Sequence, residues 1–144
     1  MPLTTGIGAD LHAHLTAIDF THTPSVIESL HAPKNAATPL IVFQQVGGSR
    51  DHDLSGADGN VDGTWQITAY STDMLIARRI AATIRIATDG YTGQMPSGGG
   101  TEINRCFLDN EIEGSDPPSG GGGVWLEKIV QTYSIAWEET KPNT

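Results

Sequence analysis

The segment TWQITAYSTDMLIARRIAATIRIATDG, residues 64–90, predicts a β-strand that runs directly into a long α-helix. Residues 64–70 alternate between two sets of side chains and are rich in β-branched and aromatic types, as a half-buried strand requires. Ser71 or Thr72 can cap the helix that follows, because a short side-chain oxygen accepts a free backbone N–H. The helix is expected to end at Gly90, since glycine adopts the left-handed conformation without a Cβ clash.

This helix is predicted to be apolar on two sides. The broad face, which should cover the sheet, consists of Ile76, Ala77, Ile80, Ile84 and Ala87. The thinner stripe on the other side consists of Leu75, Ala82 and Ile86, and it runs between Arg78, Arg79 and Arg85. Such a helix requires two partners, of which the sheet is one. We expect a second helix of the same chain to be the other, and another subunit is the alternative.

A shorter helix is predicted at residues 8–19, where Leu11, Leu15 and Ile18 form one apolar stripe. This helix is the natural candidate to cover Leu75, Ala82 and Ile86. The predicted strands cover residues 38–46, 64–70, 102–108 and 124–137, and long acidic, glycine-rich hairpin loops occupy 47–63 and 109–123. The continuous apolar run at 40–43 predicts that both faces of its strand are covered.

These elements favour an α+β fold. The economical arrangement is an antiparallel or mixed sheet of about four strands with two helices on one face. A single domain is expected over residues 1–144, with a polar tail from about residue 138.

The composition limits the partners that we expect. The formal net charge of −9 argues against affinity for nucleic-acid phosphates, which depends on a basic surface. No apolar run approaches the ~20 residues of a membrane helix, and the N-terminal residues lack the pattern of a secretory signal. We therefore expect an intracellular origin and no membrane partner.

No catalytic, metal-binding or cofactor-binding motif is found. Gly99 stands where a P-loop requires lysine, and the G-x-S-x-G, H-E-x-x-H and C-x-x-C patterns are absent. His12 and His14 cannot chelate one metal from a helix and are expected on the surface. Cys106 is expected to be a small packed residue. The sequence therefore favours an interaction or structural protein over an enzyme, without a cofactor.

A calcium-dependent binding module is the alternative from another class. In the pattern D-x-[DN]-x-[DN]-G-x5-E, positions 1, 3, 5, 6 and 12 are occupied by Asp51, Asp53, Ser55, Gly56 and Asp62. The flanking segments are predicted strands rather than the helices of an EF-hand. Aspartate at position 12 also has a shorter bidentate reach than glutamate. A flexible acidic hairpin tip is the competing interpretation.

The chain resembles the tail completion, or tail terminator, proteins of long-tailed phages and phage-like particles. The resemblance extends over most of residues 8–138. The segments that carry it are Pro39-Leu40-Ile41-Val42, Gln45-Val46-Gly47-Gly48, Tyr70-Ser71, Ala77 to Arg85 with the pattern A-x-x-[IL]-A-x-x-[IV]-R, and Ile129 to Trp137.

This resemblance implies a virion protein at the head–tail junction that is assembled in the host cytoplasm. Its subunits would form a ring, commonly a hexamer, that caps the tail tube, ends tube polymerisation and contacts the head connector, while DNA passes through the lumen without specific binding. A head–tail adaptor or minor head protein is the related alternative. The residues themselves, rather than the resemblance, indicate the expected contact positions, which are Leu75, Arg79, Ala82 and Ile86 on the helix and Arg50, Asp51 and Asp53 on the long loop.

Overall fold

The computed structural model describes residues 6–28, 38–53, 56–96, 99–117 and 125–138. The elements in chain order are α1 (Ile7–Ala17), β1 (Ser25–Glu28), β2 (Leu40–Asp53), β3 (Gly56–Ser71), α2 (Met74–Thr88), β4 (Gly93–Met95), β5 (Thr101–Asp116) and β6 (Leu126–Glu138). Neither helix in this described part has the length and apolar content needed to cross a membrane.

The strands form one curled sheet, a half-barrel, in the order β1-β2-β3-β6-β5-β4. β1 is parallel to β2, and every other neighbouring pair is antiparallel. The predicted α+β class, the mixed sheet and the two helices are therefore confirmed, whereas the strand number is six rather than about four. The two strands that were not predicted are edge strands of four and three residues, which are too short to show a two-residue period.

The predicted loop at 47–63 is wrong, because β2 and β3 continue through it as a hairpin. Their pairing extends to Asp53 opposite Gly56, with register shifts after Gln45 and Arg50. A ladder of backbone hydrogen bonds does not require apolar side chains, so a polar, glycine-rich segment can extend a strand that is nucleated elsewhere. β3 pairs with β6 only from Asn60 onward. The described end of the hairpin, residues 51–53 with 56–59, therefore extends beyond the end of β6.

The acidic segment after residue 108 is also a strand rather than the predicted loop. β5 continues to Asp116, which lies opposite Leu126 at the start of β6. Glu111 and Glu113 face the helix side, where they accept hydrogen bonds from Arg85 and Arg78. Pairing with arginine from another element explains why these acids are compatible with a strand. The predicted glycine-rich tip falls largely on residues 118–124, which lie outside the described residues.

The main core cluster lies on the face of the sheet that the helices cover. Its largest buried side chains include Trp65, Tyr133 and Trp137, which come from the paired central strands β3 and β6. The predicted continuous burial at 40–43 is confirmed, since all four side chains are at most 5 % exposed. Cys106 is fully buried in this core, as expected.

Helix α2 covers the centre of the sheet and is fixed to it by a buried amide. Ile80 and Ile84 are almost fully buried, and such burial contributes about 1.5–3 kcal/mol for each side chain. Gln131, 1 % exposed, donates from Nε2 to the carbonyl of Ala81 at 2.8 Å and accepts at Oε1 from the hydroxyl of Tyr133 at 3.0 Å. Because these polar groups are hydrogen-bonded, the cost of removing them from water is offset, and the contact orients the helix.

The ends of α2 follow the predicted pattern with one change. Asp73, not Ser71 or Thr72, is the N-cap, and its carboxylate accepts the N–H of Leu75 at 2.9 Å. The hydroxyl of Ser71 instead accepts the N–H of Asp73. The helix ends before Gly90, whose φ of 83° is the left-handed conformation that was expected.

Helix α1 does not cover the thin apolar stripe of α2, which corrects the expectation for residues 8–19. Its Leu11 and Leu15 are fully buried in the main core. The carboxylate of Asp10 accepts hydrogen bonds from the backbone N–H and the hydroxyl of Thr101, and His12 bonds to the carbonyl of Val26. These contacts hold α1 toward the β1 and β4 edges of the sheet.

His14 is buried, contrary to the expectation of a surface histidine. Only 9 % of it is exposed, its Nε2 lies 3.1 Å from the hydroxyl of Thr88 at the end of α2, and Tyr91 packs edge-on against its ring. The sequence pattern missed this position because α1 meets neighbours on more than one side. The contact ties α1 to the end of α2.

Gly63→Ala should destabilise the protein. A Cβ at this position would lie 2.5 Å from Cη2 of Trp137, and overpacking of this kind costs about 1–3 kcal/mol. Urea unfolding should show the loss. Gly47→Ala in the same hairpin is the matched control, because its Cβ would meet only Thr64 at 4.0 Å. Equal stabilities of the two variants would contradict the close packing of the Trp137 ring against Gly63.

The stability should also depend on the protonation of His14. Burial lowers the pKa of this imidazole below its ordinary value of 6.5, although a hydrogen bond with the backbone of Ala87 opposes the shift. The unfolded chain therefore binds the proton more readily than the folded protein. The free energy of unfolding should be highest above pH 6.5 and should fall as the pH decreases from there to the folded-state pKa.

Urea unfolding between about pH 7.5 and about pH 5.5 measures this dependence. His14→Gln should flatten it, whereas the exposed His12→Gln should retain it. An unchanged slope in the His14 variant would show that other groups are responsible.

Candidate functional site

The most unusual surface of the described residues is the side of α2 that points away from the sheet. Leu75 is 52 % exposed and Ile86 is 83 % exposed, with the partly buried Ala82 and the exposed Arg79 between them. We call these four residues the outer stripe. Their spacing of four, three and four residues places them in one row along the helix. The row lies opposite Ala77, Ile80, Ala81 and Ile84, which face the core.

Two arginines beside the outer stripe are held by the sheet. Arg78 donates two hydrogen bonds to the carboxylate of Glu113, at 2.7 and 3.0 Å. Nη1 of Arg85 donates one to the carboxylate of Glu111 at 3.0 Å. The hydrogen bond from Arg78 lowers the pKa of Glu113. Pairs this exposed are screened by solvent and add little to the stability. Their main effect here is to fix two cations along one side of the stripe.

Arg79 differs from these two arginines, because it makes no ion pair with any residue of the described ranges. It is exposed and lies between Leu75 and Ile86 on the stripe. The outer stripe therefore combines apolar area with an available positive charge on a chain whose formal charge is −9. Two exposed apolar side chains and an exposed cation on one helix face make the outer stripe the candidate contact surface of α2.

The other predicted contact residues, Arg50, Asp51 and Asp53, lie in the distal part of β2. Their side chains fall outside the described part of the structure. The backbone places them opposite the first half of β3, whereas α2 begins after Ser71 at the other end of that strand. The structure therefore does not bring the two groups of predicted residues together.

The sheet has a second face, opposite the helices, which we call the open face. On β6 the buried residues alternate with partly exposed ones that point to this face. Cross-strand partners share a face, so Phe107 and Ile112 of β5, which lie opposite Ser134 and Val130, are on the open face. They are 51 % and 55 % exposed.

Asp109 lies between these two apolar side chains, at a register shift between Leu108 and Asn110. Its carboxylate accepts a hydrogen bond from the hydroxyl of Ser134, which directs it to the open face. We call Phe107, Asp109 and Ile112 the β5 patch. The acidic residues of this segment predict a loop, so the β5 patch is not expected from the sequence, although the alternation of Glu111, Ile112 and Glu113 is a signal for a strand.

The described residues contain no group of three or more His, Cys, Asp or Glu that could hold a metal ion. Burial raises the pKa of the Cys106 thiol to about 12, so this thiol is protonated and inaccessible. A shallow cleft of about 250 Å³ on the open face is lined by Asp62 and Arg105, which pair with each other at 2.9 Å.

The comparisons with known proteins add no assignment. No family model matches this sequence, and no curated protein is significantly similar to it.

Calcium should not stabilise the protein. The backbone of Asp53 pairs with Gly56 in a hairpin instead of winding around an ion, and Asp62, at the twelfth position of the calcium pattern, is paired with Arg105. Thermal unfolding should give the same midpoint with EDTA and with about 5 mM calcium, a concentration above the dissociation constants of the weak sites in extracellular modules. Magnesium at the same concentration is the control for ionic effects. A rise of the midpoint with calcium alone would revive the calcium module.

Proposed function

We propose that the protein is a ring-forming tail completion subunit of a long-tailed phage or phage-like particle. The ring caps the head-proximal end of the tail tube, ends tube polymerisation and presents a surface to the head connector. Its role is structural rather than enzymatic, and its site of action is the head–tail junction of the virion. The observation that carries the proposal is the outer stripe of α2, taken together with the resemblance in sequence.

The charge of the outer stripe supports a ring over a two-fold dimer. In a symmetric contact between two α2 helices, Arg79 of one copy would approach Arg79 of the other, with Arg78 and Arg85 close by. Such like-charge contacts are destabilising. The stripe is therefore suited to a different surface on the next copy. A contact between two different surfaces is heterologous, and repetition of it produces a closed ring or a filament.

The apolar content of the stripe supports a stable contact. Full burial of an exposed Leu or Ile side chain contributes about 1.5–3 kcal/mol, and Ile86 exposes most of its surface in the single chain. The described residues leave Leu75 and Ile86 exposed, and α1 lies elsewhere, so contact with another copy would bury them.

The projecting β2–β3 hairpin and the charge supply the remaining parts of the proposal. The hairpin extends past β6 at one end of the sheet, where it can reach a tail tube or a connector. The acidic balance of the chain, −9, disfavours adhesion of DNA that passes through the lumen.

Native mass spectrometry and negative-stain electron microscopy of the purified protein test the proposal. A closed ring of about six copies with a central channel is expected. A twelve-fold ring would instead favour the head–tail adaptor, and a protein that stays monomeric at high concentration would count against ring formation. Ile86→Ser should reduce the ring without changing the circular dichroism spectrum, because the side chain is exposed in the monomer and its loss leaves the fold intact. Val46→Ser, at a residue 48 % exposed on β2, is the matched control.

A further inference from the structure

We propose that the outer stripe of α2 in one copy binds the β5 patch of the next copy. This inference rests on the proposed ring and specifies the two surfaces that join its subunits. The stripe presents Leu75, Arg79 and Ile86, and the patch presents Phe107, Asp109 and Ile112. Each surface therefore has two exposed apolar side chains with one charged group between them, and the two charges are opposite.

The spacing of the two surfaces matches. Leu75 and Ile86 are about 16 Å apart along the helix at 1.5 Å per residue. Phe107 and Ile112 are about 13–16 Å apart along the strand at 3.3 Å per residue, the lower value allowing for the register shift between them. Both charged groups lie nearer the first apolar residue, about 6 Å from it in each case. Leu75 therefore meets Phe107 when Arg79 meets Asp109 and Ile86 meets Ile112.

Each surface has the properties that this contact requires. Arg79 has no ion-pair partner in the described ranges, and Asp109 accepts a hydrogen bond only from the neutral hydroxyl of Ser134 among the described residues. Ala82, the small residue of the stripe, lies between Arg79 and Ile86. Its size allows the helix backbone to approach the strand closely.

One chain cannot make this contact by itself. Helix α2 packs on the core face of the sheet through Ile80 and Ile84, and the β5 patch lies on the open face. The outer stripe of one subunit therefore meets the open face of the next, which is a heterologous arrangement. The contact also accounts for exposed apolar groups on both faces of the same molecule.

Cross-linking of two single-cysteine variants tests the contact. Ile86→Cys and Ile112→Cys are co-expressed with different affinity tags and treated with a short bismaleimide. Both positions are exposed, and the native Cys106 is fully buried with its pKa raised to about 12, so it should not react. The expected product is a heterodimer that carries both tags. Val46→Cys, co-expressed with Ile86→Cys, is the control and should give none.

Two results would overturn the proposal. A homodimer of Ile86→Cys would show that α2 packs against itself, and absence of the heterodimer would exclude contact between these surfaces. The outcome is separate from that of the proposed function. A ring without the cross-link would leave the function standing with another interface, whereas the cross-link in an open filament would retain the interface and contradict the ring.

Charge reversal provides an independent measurement. Arg79→Asp and Asp109→Arg should each raise the protein concentration needed for assembly by roughly tenfold, because like charges then face each other. The variant that combines both changes should assemble like the wild type. Circular dichroism of each variant checks that the fold is retained. Failure of the combined variant to recover, with its fold intact, would contradict the pairing of Arg79 with Asp109.

Discussion

The antiparallel pairing of β3 with β6 is the interaction on which the rest of the structure depends. It aligns Trp65 with Tyr133 and Val61 with Trp137, so that large apolar side chains of both strands fall on one face. The absence of a Cβ at Gly63 leaves room for the Trp137 ring. The helices cover this face, and Gln131 on the same ladder fixes α2 in place. The orientation of the outer stripe is therefore set by the register of two strands.

The sequence was sufficient to predict the elements that have strong local signals. The alternation at 64–70, the amphipathic period of α2 and the glycine that ends it are all features of neighbouring residues, and the corresponding elements were found. The hairpin beyond Gly47 and the acidic half of β5 were missed because their strand conformation depends on pairing with distant segments. Arg78 and Arg85 lie far in sequence from the glutamates that they contact, so the pairing that makes these acids compatible with a strand is not visible in the local sequence, although the alternation around Ile112 is.

The candidate site also has one part that the local sequence predicts and another that depends on contacts between distant segments. The helical period predicted the outer stripe. The expectation that α1 covers it was wrong, because contacts of Asp10 and His14 with other elements set the position of α1. The β5 patch required the register of β5 against β6, because only this register shows that Phe107 and Ile112 share a face with Asp109 between them. Complementarity between two surfaces is a property of the folded molecule.

The β2–β3 hairpin has a consequence for how the length of this chain can vary. Its described end is held by pairing between its own two strands and lies beyond β6, so its length is independent of the packing of the core. Because side chains alternate with a period of two, insertion of two residues in each strand extends the reach of the hairpin by about 7 Å and preserves the direction of every side chain. Insertion of one residue would turn all the side chains beyond it to the other face. Lengths that differ in steps of two would let one folded core fit partners at different distances.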